Sequence, residues 1–218
     1  MNLEGKIINF LGDSITEGCG TSSEEKRFTD LIERDYKLRK ANNYGICGTR
    51  IARQQVPSIP LFDQDFCGRY ASMDRNADAV VVFGGTNDYG HGDAPIGTMN
   101  DRTPDTFYGA CHTLMNGLMN MYTGKPIVIA TPLHRLNENN PLGEGTKKTP
   151  GEALSVYRKI IMEVAEYYAF PVLDLYSQSG MQPENEACRE LLMPDGLHPN
   201  DEGHTILERL IGNFLCQI

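Results

Sequence analysis

Four short clusters carry the chemistry that this chain of 218 residues offers. Gly12-Asp13-Ser14 closes an apolar run, so Ser14 falls in a turn where its hydroxyl can project into a cleft. Backbone N–H groups in such a turn can face a developing oxyanion. Near the other end, Asp195-Gly196-Leu197-His198-Pro199 puts a carboxylate three residues before an imidazole, in a loop punctuated by Gly and Pro. A turn there lets Asp195 reach Nδ1 of His198, which sets the tautomer and leaves Nε2 free to take a proton from a hydroxyl. Asn87, in Gly84-Gly85-Thr86-Asn87-Asp88, offers a side-chain amide. Gly48, in Asn43-Tyr44-Gly45-Ile46-Cys47-Gly48-Thr49, offers a backbone N–H. Both suit negative charge that builds up in acyl transfer. Each cluster alone is also an ordinary turn, with Ser14 capping a helix and Asp195 closing a loop.

The elements that must position these clusters follow from the apolar runs. Lys6 to Leu11, Ala41 to Ile46, Ala79 to Phe83, Pro126 to Ala130 and Phe170 to Leu175 read as strands. Their apolar residues are continuous rather than alternating, as suits strands covered on both faces. Helices are expected at Phe28 to Lys40, Pro104 to Met121, Glu152 to Tyr168 and Asn200 to Leu215. In the third of these, Ala153, Val156, Ile160, Val164 and Tyr167 make an apolar stripe at helical spacing. Strands alternating with helices imply right-handed crossovers and a doubly wound parallel sheet. No repeat, linker or low-complexity tract interrupts the pattern, so residues 1–218 are expected to form one domain. Three clusters then follow the first three strands and the fourth precedes the last helix, which brings all four to one sheet edge. Two long polar stretches, Asp88 to Thr103 and His134 to Pro150, leave strands at that same edge and suit binding loops or lids.

Composition excludes several other classes. The net charge of −9 argues against a nucleic-acid binder and against docking on anionic lipid. The apolar run near the N-terminus is too short for a signal-peptide core or a membrane span, so a cytoplasmic location is the expectation. Six cysteines without any C-x-x-C pair read as reduced thiols, and no clustered set of metal ligands is visible in the order of residues. No metal or organic cofactor is therefore expected. Nothing specifies a subunit interface, which leaves a homo-oligomer open.

With the clusters quoted as GDSITEG, NYGICG, GGTND and DGLHP, in that order from residue 12 to 199, the chain resembles the SGNH hydrolases, the superfamily of GDSL-type lipases and esterases. The resemblance implies a three-layer α/β/α sandwich on a five-stranded parallel sheet of flavodoxin-like order. It also implies Ser14 as nucleophile, His198 as general base and then acid, and Asp195 as its orienting carboxylate. Gly48, Asn87 and the Ser14 N–H would form the oxyanion hole. Asp13, Tyr89, His91 and His134 lie in or beside these clusters and are further candidates for substrate contact, although Asp13 and Asp88 also read simply as turn formers and His91 and His134 as loop-stabilising residues. His112 and His204 fall within expected helices and read as packing or surface residues. The expected activity is a serine esterase or acylhydrolase acting on a small, short-acyl or sugar-linked ester, since the second polar stretch is too hydrophilic for an apolar lid. The alternative is a flavodoxin-like module that holds a phosphorylated small molecule at the Gly12 to Gly18 turn.

Overall fold

The computed structural model describes all 218 residues. The five apolar runs form β1 (Ile7–Gly12), β2 (Lys40–Gly45), β3 (Ala79–Phe83), β4 (Ile127–Ala130) and β5 (Val172–Leu173). They make one all-parallel sheet of order β2-β1-β3-β4-β5, the flavodoxin-like order in which the strand sequence reverses beside β1. In β3 every residue is buried, because alternate side chains serve opposite layers. Val80 and Val82 point into one hydrophobic core, whereas Ala79, Val81 and Phe83 point into the other.

Nine α-helices surround the sheet. Four are short: α1 (Ser14–Glu17), α3 (Phe66–Arg69), α4 (Thr86–Gly90) and α7 (Leu175–Gln178). The longer ones are α2 (Phe28–Asp35), α5 (Phe107–Met121), α6 (Leu154–Tyr167), α8 (Glu186–Leu192) and α9 (Asp201–Gln217). The pair α5 and α6 covers one face with Leu114, Leu118, Ile160 and Val164, and the pair α2 and α9 covers the other with Phe28, Ile32, Leu207 and Ile211. The result is a three-layer α/β/α sandwich.

Two elements differ from the sequence reading for local reasons. The helix expected to run to Lys40 stops at Asp35, because Lys37 takes φ 53° and redirects the chain into β2. The last strand shrinks to two residues at the sheet edge, and the chain enters α7 at Leu175, immediately after the buried carboxylate of Asp174. That carboxylate accepts Nε of Arg158 at 2.8 Å and Oγ1 of Thr131 at 2.9 Å, in a partly buried ion pair that holds the start of α7 against the end of β4.

Candidate active site

The carboxyl ends of β1, β2 and β3 meet the loop that precedes α9. Gly12 ends β1 because the first turn of α1 folds tightly over it: a Cβ there would lie 1.9 Å from Oγ1 of Thr16. Asp13 caps α1 by accepting the Ile15 N–H at 3.0 Å, which leaves Ser14 as the first helical residue. From the far end of the chain, His198 brings Nε2 to 3.0 Å from Oγ of Ser14, across 184 residues of sequence. Its Nδ1 lies 2.6 Å from Oδ2 of Asp195. The other oxygen of Asp195 accepts the N–H groups of Leu197 at 2.8 Å and His198 at 2.7 Å, which fixes the carboxylate in the turn. Partial burial pushes the Asp195 carboxyl up, yet the donors from His198 and Leu197 prevail and hold it below the usual range. An imidazole that faces a hydroxyl, with an ionised and oriented carboxylate behind it, can take the proton from that hydroxyl.

Beside this line stand the two expected oxyanion donors. Gly48 adopts φ 73°, a left-handed conformation that favours glycine, and its N–H donates to no acceptor within the protein. Asn87, in the first turn of α4, uses Nδ2 to donate to the Thr49 carbonyl at 3.0 Å. An amide has two N–H donors, so the second remains for a ligand. The Asn87 contact also ties the third cluster to the second. Asp88 strengthens that tie by accepting the N–H groups of Ile51 at 2.9 Å and Ala52 at 2.8 Å. Burial pushes its carboxyl up to about 6 against the pull of those two donors.

Two arginines that the sequence reading missed complete the frame. Arg69 donates to the carbonyls of Tyr44 and of Gly12, the latter at 2.6 Å, and to Oγ1 of Thr49 at 3.0 Å, thereby stitching the ends of β1 and β2 together. Its burial lowers the guanidinium to about 10. Arg50, almost fully buried, reaches Nδ1 of His91 at 2.9 Å and the carboxylate of Asp63. No motif marks either arginine, since their partners are mostly backbone carbonyls and distant loops.

The model of the GDSL-like Lipase/Acylhydrolase family matches residues 10–206. The chain belongs to that family, and with it to the SGNH hydrolases. A hydrolase acting on esters is the activity this membership carries. Among solved structures, one of a protein from Lactobacillus plantarum is 30% identical, covers 98% of each chain and superposes with a TM-score of 0.82. One described as a possible lipase from Chitinophaga pinensis is 21% identical over 97% of this chain and 98% of its own, with a TM-score of 0.70. A two-domain esterase active on acetylated mannans is 22% identical over 99% of this chain and 50% of its own, with a TM-score of 0.62. At such identities the last two share the fold. A search of curated proteins found no match.

The remaining candidates in this GDSL-like chain are placed differently from one another. Asp13 and Tyr89 do not face a ligand space, contrary to expectation. Asp13 is 1% exposed and its carboxylate serves the α1 cap; burial raises it to about 6. That carboxylate also occupies the N–H-lined turn which the phosphate-binding alternative would need, and α1 is a single short turn with little dipole to offer. Tyr89 is 1% exposed, and its hydroxyl donates to the carbonyls of Asn137 and Asn140 while its ring meets Tyr157 edge-on. It thus anchors the 134–150 loop. His134 is likewise engaged, with Nδ1 2.9 Å from a carboxylate oxygen of Glu138 and its ring against Tyr176. His91 lines the larger of two neighbouring open spaces. Its ring packs on Phe62, which itself covers Gly48, and burial lowers its pKa to about 4. His112 and His204 are buried helix residues, the latter accepting the Phe28 N–H at 3.1 Å.

Two open spaces flank these residues. A groove of about 680 Å³ runs between the 54–58, 91–96 and 146–152 segments, with His91, Asp93, Lys147 and Glu152 on its walls. A second, of about 370 Å³, lies beside Asp195 and Leu197 and is bordered by Arg135 and Glu144. The two long polar loops that the sequence set apart are fastened to each other here. Glu144 N–H donates to the Gly90 carbonyl at 2.8 Å, and Nζ of Lys147 donates to the Asp88 carbonyl at 3.0 Å. No helix is long and apolar enough to cross a membrane.

Proposed function

We propose that this hydrolase is a carboxylic ester hydrolase that cleaves a short-acyl ester, of which an acetyl group on a sugar is the leading candidate, through an acyl-enzyme on Ser14. The observation that carries the reading is the unbroken line from Oγ of Ser14 through His198 to Asp195, with separations of 3.0 and 2.6 Å. In this mechanism His198 takes the Ser14 proton as Oγ attacks the ester carbonyl. The tetrahedral oxyanion is held by the N–H groups of Ser14 and Gly48 and by the amide of Asn87. The imidazolium then protonates the departing alcohol, and water repeats the sequence on the acyl-enzyme to release the acid. Asp195 keeps the imidazole oriented and offsets its positive charge.

Two features support a small, polar substrate. The space beside Asp195 and Leu197 is lined mostly by polar and charged side chains, among them Arg135, Asn137, Asn140 and Glu144. A structural neighbour, the two-domain esterase, is active on acetylated mannans. The test is a series of p-nitrophenyl esters from acetyl to decanoyl, followed by acetylated oligosaccharides, on wild type and Ser14→Ala. Activity that declines with acyl length and vanishes in the variant is the expected result. Hydrolysis that persists in a folded Ser14→Ala protein overturns the assignment.

A further inference from the structure

Two cysteines far apart in sequence meet next to the catalytic line. Cys19 lies one turn after Ser14, and its N–H donates to the Ser14 carbonyl at 2.9 Å. Cys47 immediately precedes Gly48. Their Sγ atoms and a carboxylate oxygen of Glu17 all lie within 4.8 Å of one another. The approach is enforced by the backbone. Gly45 packs so closely on the first helical turn that a Cβ would lie 2.1 Å from the Glu17 nitrogen. Asn43 donates to the Thr16 carbonyl at 2.6 Å, and the Cys47 N–H donates to Oε2 of Glu17 at 2.5 Å. Glu17 is exposed and both thiols are half-buried, so the cluster opens to solvent. All six cysteines are free.

We infer that Glu17, Cys19 and Cys47 form a binding site for a soft divalent cation of the zinc and cadmium class. Two thiolates, one carboxylate and one water are a tetrahedral donor set for such an ion. Metal–sulfur distances of about 2.3 Å require only that the three donors draw in slightly around a common centre. An ordinary thiol is protonated at neutral pH, whereas the metal ligand is the thiolate. Loading is therefore an exchange: the cation displaces one proton from each thiol, the two S–H bonds break, two metal–sulfur bonds form, and two protons enter solution. The chain's net charge of −9 favours the incoming cation.

The site's position has a consequence for catalysis. Cys47 is covalently joined to Gly48, whose free N–H is an oxyanion donor in the mechanism above. The Cys19–Gly20 backbone rests against His198, where a Cβ on Gly20 would lie 3.2 Å from the His198 Cβ. A bound ion locks the 46–48 turn to the 17–19 turn and so restrains the Gly48 N–H; because its two charges replace the two thiol protons, the net charge beside His198 is unchanged and the coupling acts through this restraint alone. Loading therefore lowers the hydrolysis rate, and a chelator restores it.

The test uses the full chain and cadmium ion as the probe. The expected result is a thiolate-to-metal ultraviolet absorption band that saturates at one equivalent, with two protons released per cadmium bound. Cys19→Ser and Cys47→Ser each abolish the band, Glu17→Gln weakens binding, and Cys216→Ser leaves it unchanged. Should either thiol variant fold poorly, maleimide labelling of wild type followed by peptide mass analysis answers the same question, because cadmium must shield Cys19 and Cys47 together. A band that survives in either single variant, or labelling unaffected by cadmium, overturns the site. These readouts do not depend on Ser14, so their failure is distinct from failure of the proposed mechanism; loss of hydrolysis on loading tests only the coupling.

Discussion

Asn87→Ala is the substitution whose effects divide most cleanly between catalysis and stability. The Asn87 amide has one proton committed to the Thr49 carbonyl at 3.0 Å and, in the proposed mechanism, one for the oxyanion. Losing the second removes one of three oxyanion donors, which costs about 10²–10³-fold in kcat, or about 2.7–4 kcal/mol of transition-state stabilisation. Losing the first leaves the buried Thr49 carbonyl without that donor, at about 1–3 kcal/mol of folding stability. The alanine protein should therefore unfold at lower denaturant, yet remain folded at assay temperature with KM nearly unchanged. The assay pairs steady-state hydrolysis of p-nitrophenyl acetate with urea unfolding of the same preparation. A variant that shows the stability loss but keeps kcat within about tenfold of wild type would refute the oxyanion role, leaving Asn87 as a structural tie only.

Three further outcomes follow from the same geometry. Asp195→Asn should reduce kcat by up to about 10⁴-fold, because the amide can favour the wrong His198 tautomer, and steady-state rates check it directly. Asp13→Asn retains a side-chain oxygen for the Ile15 N–H but removes a buried carboxyl whose folded pKa is raised from 3.8 to about 6. A raised folded pKa means that the stability tied to this group is fully present below its unfolded pKa and is lost as pH climbs through about 6. The difference amounts to about 3 kcal/mol, so the variant's stability relative to wild type should improve between pH 4 and 7 in parallel urea titrations; a constant difference would contradict it. Arg158→Ala strands the Asp174 carboxylate, which this ion pair together with Ser177 and Thr131 holds down at about 2. Breaking this partly buried pair from one side costs about 1–3 kcal/mol, since Thr131 and Ser177 still donate to the carboxylate, and the loss is visible as an earlier unfolding transition, while p-nitrophenyl acetate turnover of the folded fraction stays at the wild-type level.

The order of chemical blocks and the strands that carry them were legible without coordinates. The run AVVVF at 79–83 is all apolar, so it had to be covered on both faces, and it forms β3 with those bounds. Alternation of such runs with helical stripes implied parallel crossovers, and parallel strands put all their following turns at one edge. Hence Ser14, Gly48, Asn87 and His198 could be expected near one another, because turn chemistry is local and topology does the rest. Short polar helices were not legible: α8 has no buried residue and thus no periodic apolar signal to read.

Only the tertiary structure decided which neighbours within that edge face a ligand and which are consumed by the frame. Asp13 and Tyr89 stand next to the catalytic candidates in sequence, yet packing turns both inward, one onto a helix cap and the other beneath a loop. Arg69 and Arg50 stand in no motif, yet they hold the turns together through backbone carbonyls and side chains remote in sequence. Cys19 and Cys47 are 28 residues apart and meet because Gly45 lets one turn nest against another. Residue types and spacing specify what a side chain can do; its direction is set by close packing across the whole chain, where a single missing Cβ decides who becomes a neighbour.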